Sequence, residues 1–146
     1  MTKVLIADDH DVVREGIVSI VSSTADMYVA DEASDGFQVL ELTNQNKYDI
    51  ILLDLNLPCL SGMEVLKKLH AMNPNLAVLI ISMYDEKQIA KRALAAGAAG
   101  YLTKETAAEH LTDAIRKISI GGRYISPEIA AKIKQKEYPA YGINRT

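Results

Sequence analysis

The residues of this 146-residue chain best suited to chemistry stand at the ends of hydrophobic runs. Val4, Leu5, Ile6 and Ala7 run into Asp8 and Asp9, with Asp11 close behind; "DIILLD" ends in Asp54; "LAVLIIS" ends in Ser82; and "AGYL" is followed by Thr103 and Lys104. Carboxylates brought close together repel, so such a cluster either faces water or holds a cation. A hard divalent ion such as Mg2+ takes oxygen ligands, commonly one or two carboxylates, waters and a substrate phosphate. If the first and third strands are central neighbours, Asp8, Asp9 and Asp54 gather at one rim. A carboxylate nucleophile with metal ligands, a hydroxyl at Ser82 and an ammonium at Lys104 then make up the electrostatic parts of a phosphoryl-transfer site.

The elements that must carry these residues are legible as alternating patterns. Five short apolar runs occur at residues 4–7, 28–30, 50–53, 76–81 and 99–102, and between them lie stretches of 10 to 20 residues with helical apolar spacing. That is how a parallel sheet covered on both faces reads. Ser61 with Glu64, Asp85 with Gln88 and Thr106 with Glu109 are each expected to cap a helix. Ala108, Leu111, Ile115 and Ile118 place one apolar stripe on the fifth helix. Five strands and five helices over about residues 3–120, joined by right-handed crossovers, predict an open, doubly wound α/β sheet with its functional loops beyond the strand C-termini. Gly121 and Gly122 stop the fifth helix, and Ser126 with Pro127 begins a short sixth one. Residues 1–120 are therefore expected to form the domain and 121–146 a linker with a short helix, loose beyond Lys136.

Composition narrows the class. At 49% hydrophobic residues the chain can bury a core, and disorder is not expected. Residues 1–115 hold 9 Lys/Arg against 17 Asp/Glu, whereas residues 116–146 hold 7 against 2. The acidic body argues against broad nucleic-acid binding and suits a divalent cation. The single cysteine, Cys59, excludes an internal disulfide and fits a reducing compartment. No run approaches the roughly 20 apolar residues of a membrane span, and a cytoplasmic protein with no membrane partner is expected.

Taken together, these residues resemble the receiver domain of bacterial two-component response regulators. Asp8 and Asp9 match that family's acidic pair, Asp54 its phosphoacceptor, Ser82 its switch hydroxyl, Tyr101 its switch aromatic and Lys104 its lysine, and the Asn56 backbone carbonyl matches its third protein ligand to Mg2+. "LPCLSGMEVLKKL", "ISMYDE", "ALAAGAAGYLTKE" and "LTDAIRKISIGGRYISPEIA" are similar to the NarL/FixJ (LuxR-type) class. The resemblance implies a flavodoxin-like (βα)5, CheY-like sheet of order 2-1-3-4-5. It further implies Mg2+ as cofactor, a sensor histidine kinase as phosphodonor, and homodimer formation on phosphorylation. DNA contact is expected only through a C-terminal helix-turn-helix domain, which residues up to Thr146 do not contain. In the implied mechanism Asp9 binds the metal directly and Asp8 acts through water. Ser82 and Tyr101 transmit phosphorylation to the face of the fourth helix, fifth strand and fifth helix.

Asn56, two residues after Asp54, bears on turnover. An aspartyl-phosphate phosphatase of the haloacid-dehalogenase type carries an acidic group there; an amide exchanges no proton with leaving group or water, so a persistent acyl phosphate and no turnover enzyme are expected. Two alternatives stay open, a phosphorylation-independent interaction module and a Mg2+-dependent acyl-phosphatase. His10 follows the acidic pair and is placed to modulate the rim. Asp11 reads as a first-turn residue stabilised by the helix dipole, and Cys59 as an unreactive loop thiol, lacking a nearby base.

Overall fold

The structure is a computed structural model that describes residues 1–134; the residues of the expected loose end beyond Lys136 lie outside that range. Elements alternate as β1 (Thr2–Ala7), α1 (Asp11–Ser22), β2 (Met27–Ala33), α2 (Gly36–Gln45), β3 (Ile50–Leu53), α3 (Gly62–Met72), β4 (Val78–Ser82), α4 (Lys87–Ala95), β5 (Gly100–Thr103), α5 (Ala107–Ser119), β6 (Tyr124–Ile125) and α6 (Pro127–Lys134). All strands are parallel, in the order β2-β1-β3-β4-β5-β6.

The expected 2-1-3-4-5 order is present, but the expectation of five strands is corrected to six. β6 is only two residues long and has no periodicity to announce it. It forms because the outer backbone edge of β5 offers hydrogen-bonding groups that need partners: Tyr124 N–H donates to Ala99 O at 3.1 Å and Ser126 N–H to Tyr101 O at 3.2 Å. The chain reaches that edge after Gly121, whose φ of +92° turns it back from α5 at little steric cost.

Strand side chains alternate between two cores, as period 2 demands. Leu5, Ala7, Ile51, Leu53 and Ile80 meet Val39 of α2, Val65, Leu66 and Leu69 of α3 and Ala90 and Ala93 of α4. Val4, Ile6, Ile50, Leu52, Leu79 and Ile81 meet Ile17 and Val21 of α1 and Leu111, Ala114, Ile115 and Ile118 of α5. Each buried Leu or Ile contributes about 1.5–3 kcal/mol relative to exposure, and β3 is covered on both faces, Ile51 and Leu53 in one core and Ile50 and Leu52 in the other. This explains why that strand reads as four consecutive apolar residues.

Of the three expected capping pairs, one forms. Ser61 Oγ accepts from Glu64 N–H. The N-caps of α4 and α5, Glu86 and Thr106, make no side-chain cap: Asp85 accepts instead from Lys132 of α6, and the Thr106 hydroxyl bonds that of Thr103, three residues before it.

Register sets up the rim. Ala7 pairs with Leu53 across β1 and β3, so Asp8 and Asp54 leave the sheet side by side, with Asp54 N–H donating to Ala7 O at 3.0 Å. Ser82 pairs with Thr103 across β4 and β5, and Lys104 N–H donates to Ser82 O at 2.8 Å.

Candidate functional site

Asp8, Asp9, Asp54 and Lys104 meet at the C-terminal rim of β1, β3 and β5. Asp8 and Asp54 have side chains only 2% exposed, and the Lys104 side chain is 9% exposed. Lys104 Nζ lies 2.9 Å from Asp54 Oδ2 and 3.0 Å from Asp8 Oδ2, an ammonium shared by two buried carboxylates. Burial alone would lower the Lys104 amine's pKa; the two carboxylates in contact outweigh it and hold the amine above its ordinary value. Backbone donors complete the carboxylates: His10 N–H reaches Asp8 Oδ1 at 2.8 Å and Asn56 N–H reaches Asp54 Oδ1 at 3.0 Å. Asp9, by contrast, is exposed.

His10 is closer to the centre than its place in the sequence discloses. Its Nδ1 lies 3.0 Å from Asp8 Oδ1, 3.3 Å from Asp9 Oδ1, 3.7 Å from Asp54 Oδ2 and 3.1 Å from Lys104 Nζ. Ligand atoms of Asp8, Asp9, His10 and Asp54 all fall within 4.8 Å of one another, a set that could hold a metal ion. Three hard carboxylates dominate it, and Asp8 Oδ2 is buried without a well-directed hydrogen bond, so the donor chemistry fits a divalent cation.

Two side chains that hold the site together, Arg14 and Tyr84, are not among the residues the sequence singled out. Arg14, on the first turn of α1, donates Nη1 to Asp8 O at 2.6 Å, Nη2 to Asp11 Oδ1 at 2.9 Å and Nε to Glu32 Oε1 at 3.1 Å, tying the acidic loop to β2. The one hint was Asp11 standing three residues before it, on the same helix face. Tyr84, in the β4–α4 loop, exchanges hydrogen bonds with the Asn56 side-chain amide at 3.0 and 3.1 Å, closing that loop onto the one after β3. Ser82 Oγ accepts from Tyr84 N–H at 3.1 Å, so the expected switch hydroxyl is engaged within its own loop. Tyr101 is fully buried and donates to Tyr84 O at 2.7 Å. Burial raises its pKa, and the Ser82 hydroxyl opposes that rise. In the β3–α3 loop, Pro58 is trans, and Cys59 is exposed with a φ of +69°.

The sequence profile described as "Response regulator receiver domain" matches residues 4–116. The chain belongs to the response regulator receiver domain family. It is 37% identical over 138 residues to the response regulator GacA of Pseudomonas aeruginosa, covering 94% of this chain and 64% of that protein. It is also 37% identical over 138 residues to the transcriptional regulatory protein YxjL of Bacillus subtilis, covering 94% of this chain and 63% of the relative. The chain thus spans a little under two thirds of these relatives. Among solved structures it is similar to a LuxR-family two-component response regulator from Aurantimonas sp. SI85-9A1, with a TM-score of 0.87, 32% identity and 91% and 95% of the two chains covered. The signal receiver domain of a NarL response regulator from Mycobacterium tuberculosis aligns with a TM-score of 0.78 at 34% identity, covering 82% of this chain and 97% of that one. Family membership makes the chain a phosphoaccepting signalling module of a two-component system rather than a turnover enzyme. Among the described residues no helix is long and apolar enough to cross a membrane.

Proposed function

We propose that Asp54 is the residue that accepts the phosphoryl group, from the phosphohistidine of a sensor kinase. A carboxylate oxygen of Asp54 attacks phosphorus, the P–N bond to the kinase imidazole breaks, and its electron pair stays on the departing nitrogen. Lys104, already 2.9 Å from Asp54 Oδ2, follows the charge onto a phosphoryl oxygen. Mg2+ is the cation the donor set suits, held by Asp9, Asp54 and the Asn56 carbonyl with Asp8 acting through water; bound, it neutralises charge on the transferred oxygens. The observation that carries the assignment is the pairing of the buried Asp54 with a lysine from the end of another strand. Either residue alone would be a costly burial; together they form a ready-made seat for a dianion.

Phosphorylation would then draw Ser82 toward Asp54, with Tyr101 following, so that the α4–β5–α5 surface changes state and controls homodimer formation. The relatives extend beyond the span matched here, and one is named as a transcriptional regulatory protein. An attached helix-turn-helix domain contacting DNA is therefore the proposed output of a longer parent protein.

The test is incubation with acetyl phosphate and Mg2+, read by intact mass spectrometry. One phosphoryl group, about 80 Da, should appear. It should be absent from Asp54→Ala, fall strongly under chelation, and persist for minutes, because Asn56 supplies no general base to an attacking water. Folded protein that gains no adduct at saturating donor would refute the assignment.

A further inference from the structure

His10 is the N-cap residue of α1, a position from which a side chain can accept from the free N–H groups of the first turn, and its ring makes no such bond. The backbone of the residue is held on both sides: its N–H donates to Asp8 Oδ1 at 2.8 Å, and its carbonyl accepts from Arg14 N–H at 2.9 Å. The ring lies instead against the rim, with Nδ1 3.0 Å from Asp8 Oδ1, 3.3 Å from Asp9 Oδ1 and 3.7 Å from Asp54 Oδ2. The fourth neighbour of Nδ1 is Lys104 Nζ, at 3.1 Å.

These neighbours ask opposite things of Nδ1. An ionised carboxylate only accepts and so requires a hydrogen on Nδ1, whereas an ammonium only donates and so requires the lone pair. One ring nitrogen supplies one or the other, and with Lys104 in place some close contact of Nδ1 is always unfavourable. A divalent cation in the place of the ammonium removes the conflict. Asp8, Asp9, Asp54 and His10 then each offer a lone pair, from ligand atoms that all lie within 4.8 Å of one another. The hydrogen of the neutral ring is then on Nε2, where water can accept it, since the side chain is 47% exposed.

Resting on the cation seat proposed above, we propose that His10 is a metal ligand through Nδ1 and sets which ion that seat prefers. The ligands implied by the receiver family, Asp9, Asp54 and the Asn56 carbonyl, are all oxygen, which is the set that Mg2+ takes. An imidazole nitrogen adds little for Mg2+, a hard ion that sheds water reluctantly, and much for a late first-row transition-metal dication such as Fe2+, Co2+, Ni2+ or Zn2+. His10 therefore raises the affinity for that class of ion above what the carboxylates alone provide. Because the nitrogen stands beside Asp9 and Asp54 and not at a separate place, the two classes of ion compete for one seat, and the identity of the bound ion becomes a property governed by residue 10.

The experiment is calorimetric titration of the full chain with Mg2+ and, separately, with Co2+, for the unmodified protein and for His10→Ala, followed by 1H NMR of the Co2+-loaded samples. The unmodified protein should bind Co2+ more tightly than Mg2+, and the ratio of the two dissociation constants should fall by about tenfold or more in His10→Ala. His10→Asn, which suits an N-cap, is the second variant and should show the same fall, so the comparison stands even if the alanine variant does not fold. Co2+ is paramagnetic, and the exchangeable ring N–H of a ligating histidine moves far outside the ordinary amide range. One such signal is expected from the unmodified chain and none from either variant. A ratio unchanged by both substitutions, Co2+-bound protein without the shifted ring proton, or a shifted proton that persists in the variants and so belongs to His70 or His110, would overturn the role of His10. An Asp54 adduct that still forms from acetyl phosphate and Mg2+ would leave the phosphoacceptor standing after any of those results. Folded protein that binds neither ion would remove the cation seat and the role of His10 together.

Discussion

Lys104→Met is the sharpest perturbation of the site, because it keeps an unbranched chain of similar length and deletes only the charge. In the unmodified protein one ammonium neutralises two carboxylates with side chains 2% exposed, at 2.9 and 3.0 Å. Breaking a buried pair by removing one partner costs about 3–5 kcal/mol. The low end applies, since Asp8 and Asp54 each keep a backbone N–H donor, from His10 and Asn56. A loss of about 3 kcal/mol in a chain of this size corresponds to a fall in Tm of about 6–12 °C. Measured in chelator by calorimetry, that fall should shrink when Mg2+ is added. A ligand at a hundred times its Kd contributes about 2.7 kcal/mol, and the variant should gain more from a given Mg2+ concentration than the unmodified chain, because no ammonium competes for the carboxylates. The pH dependence has a definite sign. The Lys104 pKa is raised above 10.5 in the folded protein, so its contribution is fully present below 10.5 and is lost as pH rises through the folded value. The gap in Tm between the two proteins should hold steady from pH 7 to 9 and close only in stronger alkali. A variant as stable as the unmodified chain in chelator, or one with an identical Mg2+ increment, would refute the picture of one cation seat contested by lysine and metal.

Other perturbations follow from the same geometry. Asp9→Asn should weaken Mg2+ binding at least tenfold by NMR titration, about 1.4 kcal/mol, while leaving stability in chelator unchanged or slightly higher as like-charge repulsion falls. Gly16→Ala should stabilise α1 by about 0.5–1 kcal/mol in urea unfolding, since an added Cβ meets nothing within 4 Å. Gly62→Ala should lose about 1–3 kcal/mol and slow phosphorylation, because its Cβ would stand 2.2 Å from Asp54 O and push on the backbone that carries the proposed phosphoacceptor.

The path from sequence to site was short where residues act along a strand and long where they act across loops. Asp8, Asp54, Ser82 and Lys104 were legible because each ends an apolar run, and parallel register brings such ends to one rim. Ser61 was legible as a cap because its partner lies three residues away. Asp85 and Thr106 carry the same local pattern, yet Asp85 binds Lys132, 47 residues on, a contact that no local spacing encodes, and Thr106 turns to the hydroxyl of Thr103, three residues before it rather than after. His10 was recognisable as a neighbour of the acidic pair, but not as the imidazole standing among three carboxylates, since that depends on where the β1–α1 turn aims it. The grip of Arg14 on the Asp8 carbonyl, from α1 back to the turn before it, and the Tyr84–Asn56 contact between two separate loops left no periodic trace. β6 escaped for a different reason: two residues are too few to show alternation, and only the unpaired edge of β5 explains them.

That two-residue strand also bears on how the protein behaves in a crowded solution. An open parallel sheet has two margins, and a long flat margin is a template on which a foreign strand can add, the first step toward aggregation. Here the margin beside β5 is taken by β6, which is itself too short to offer a newcomer more than a foothold, and α6 follows it directly. The opposite margin is β2, where Asp31 and Glu32 introduce charge into the outermost strand and oppose the stacking of like copies. An element of two residues thus confers colloidal protection out of proportion to the little area it buries, and variants that delete it should show their defect first as precipitation at high concentration.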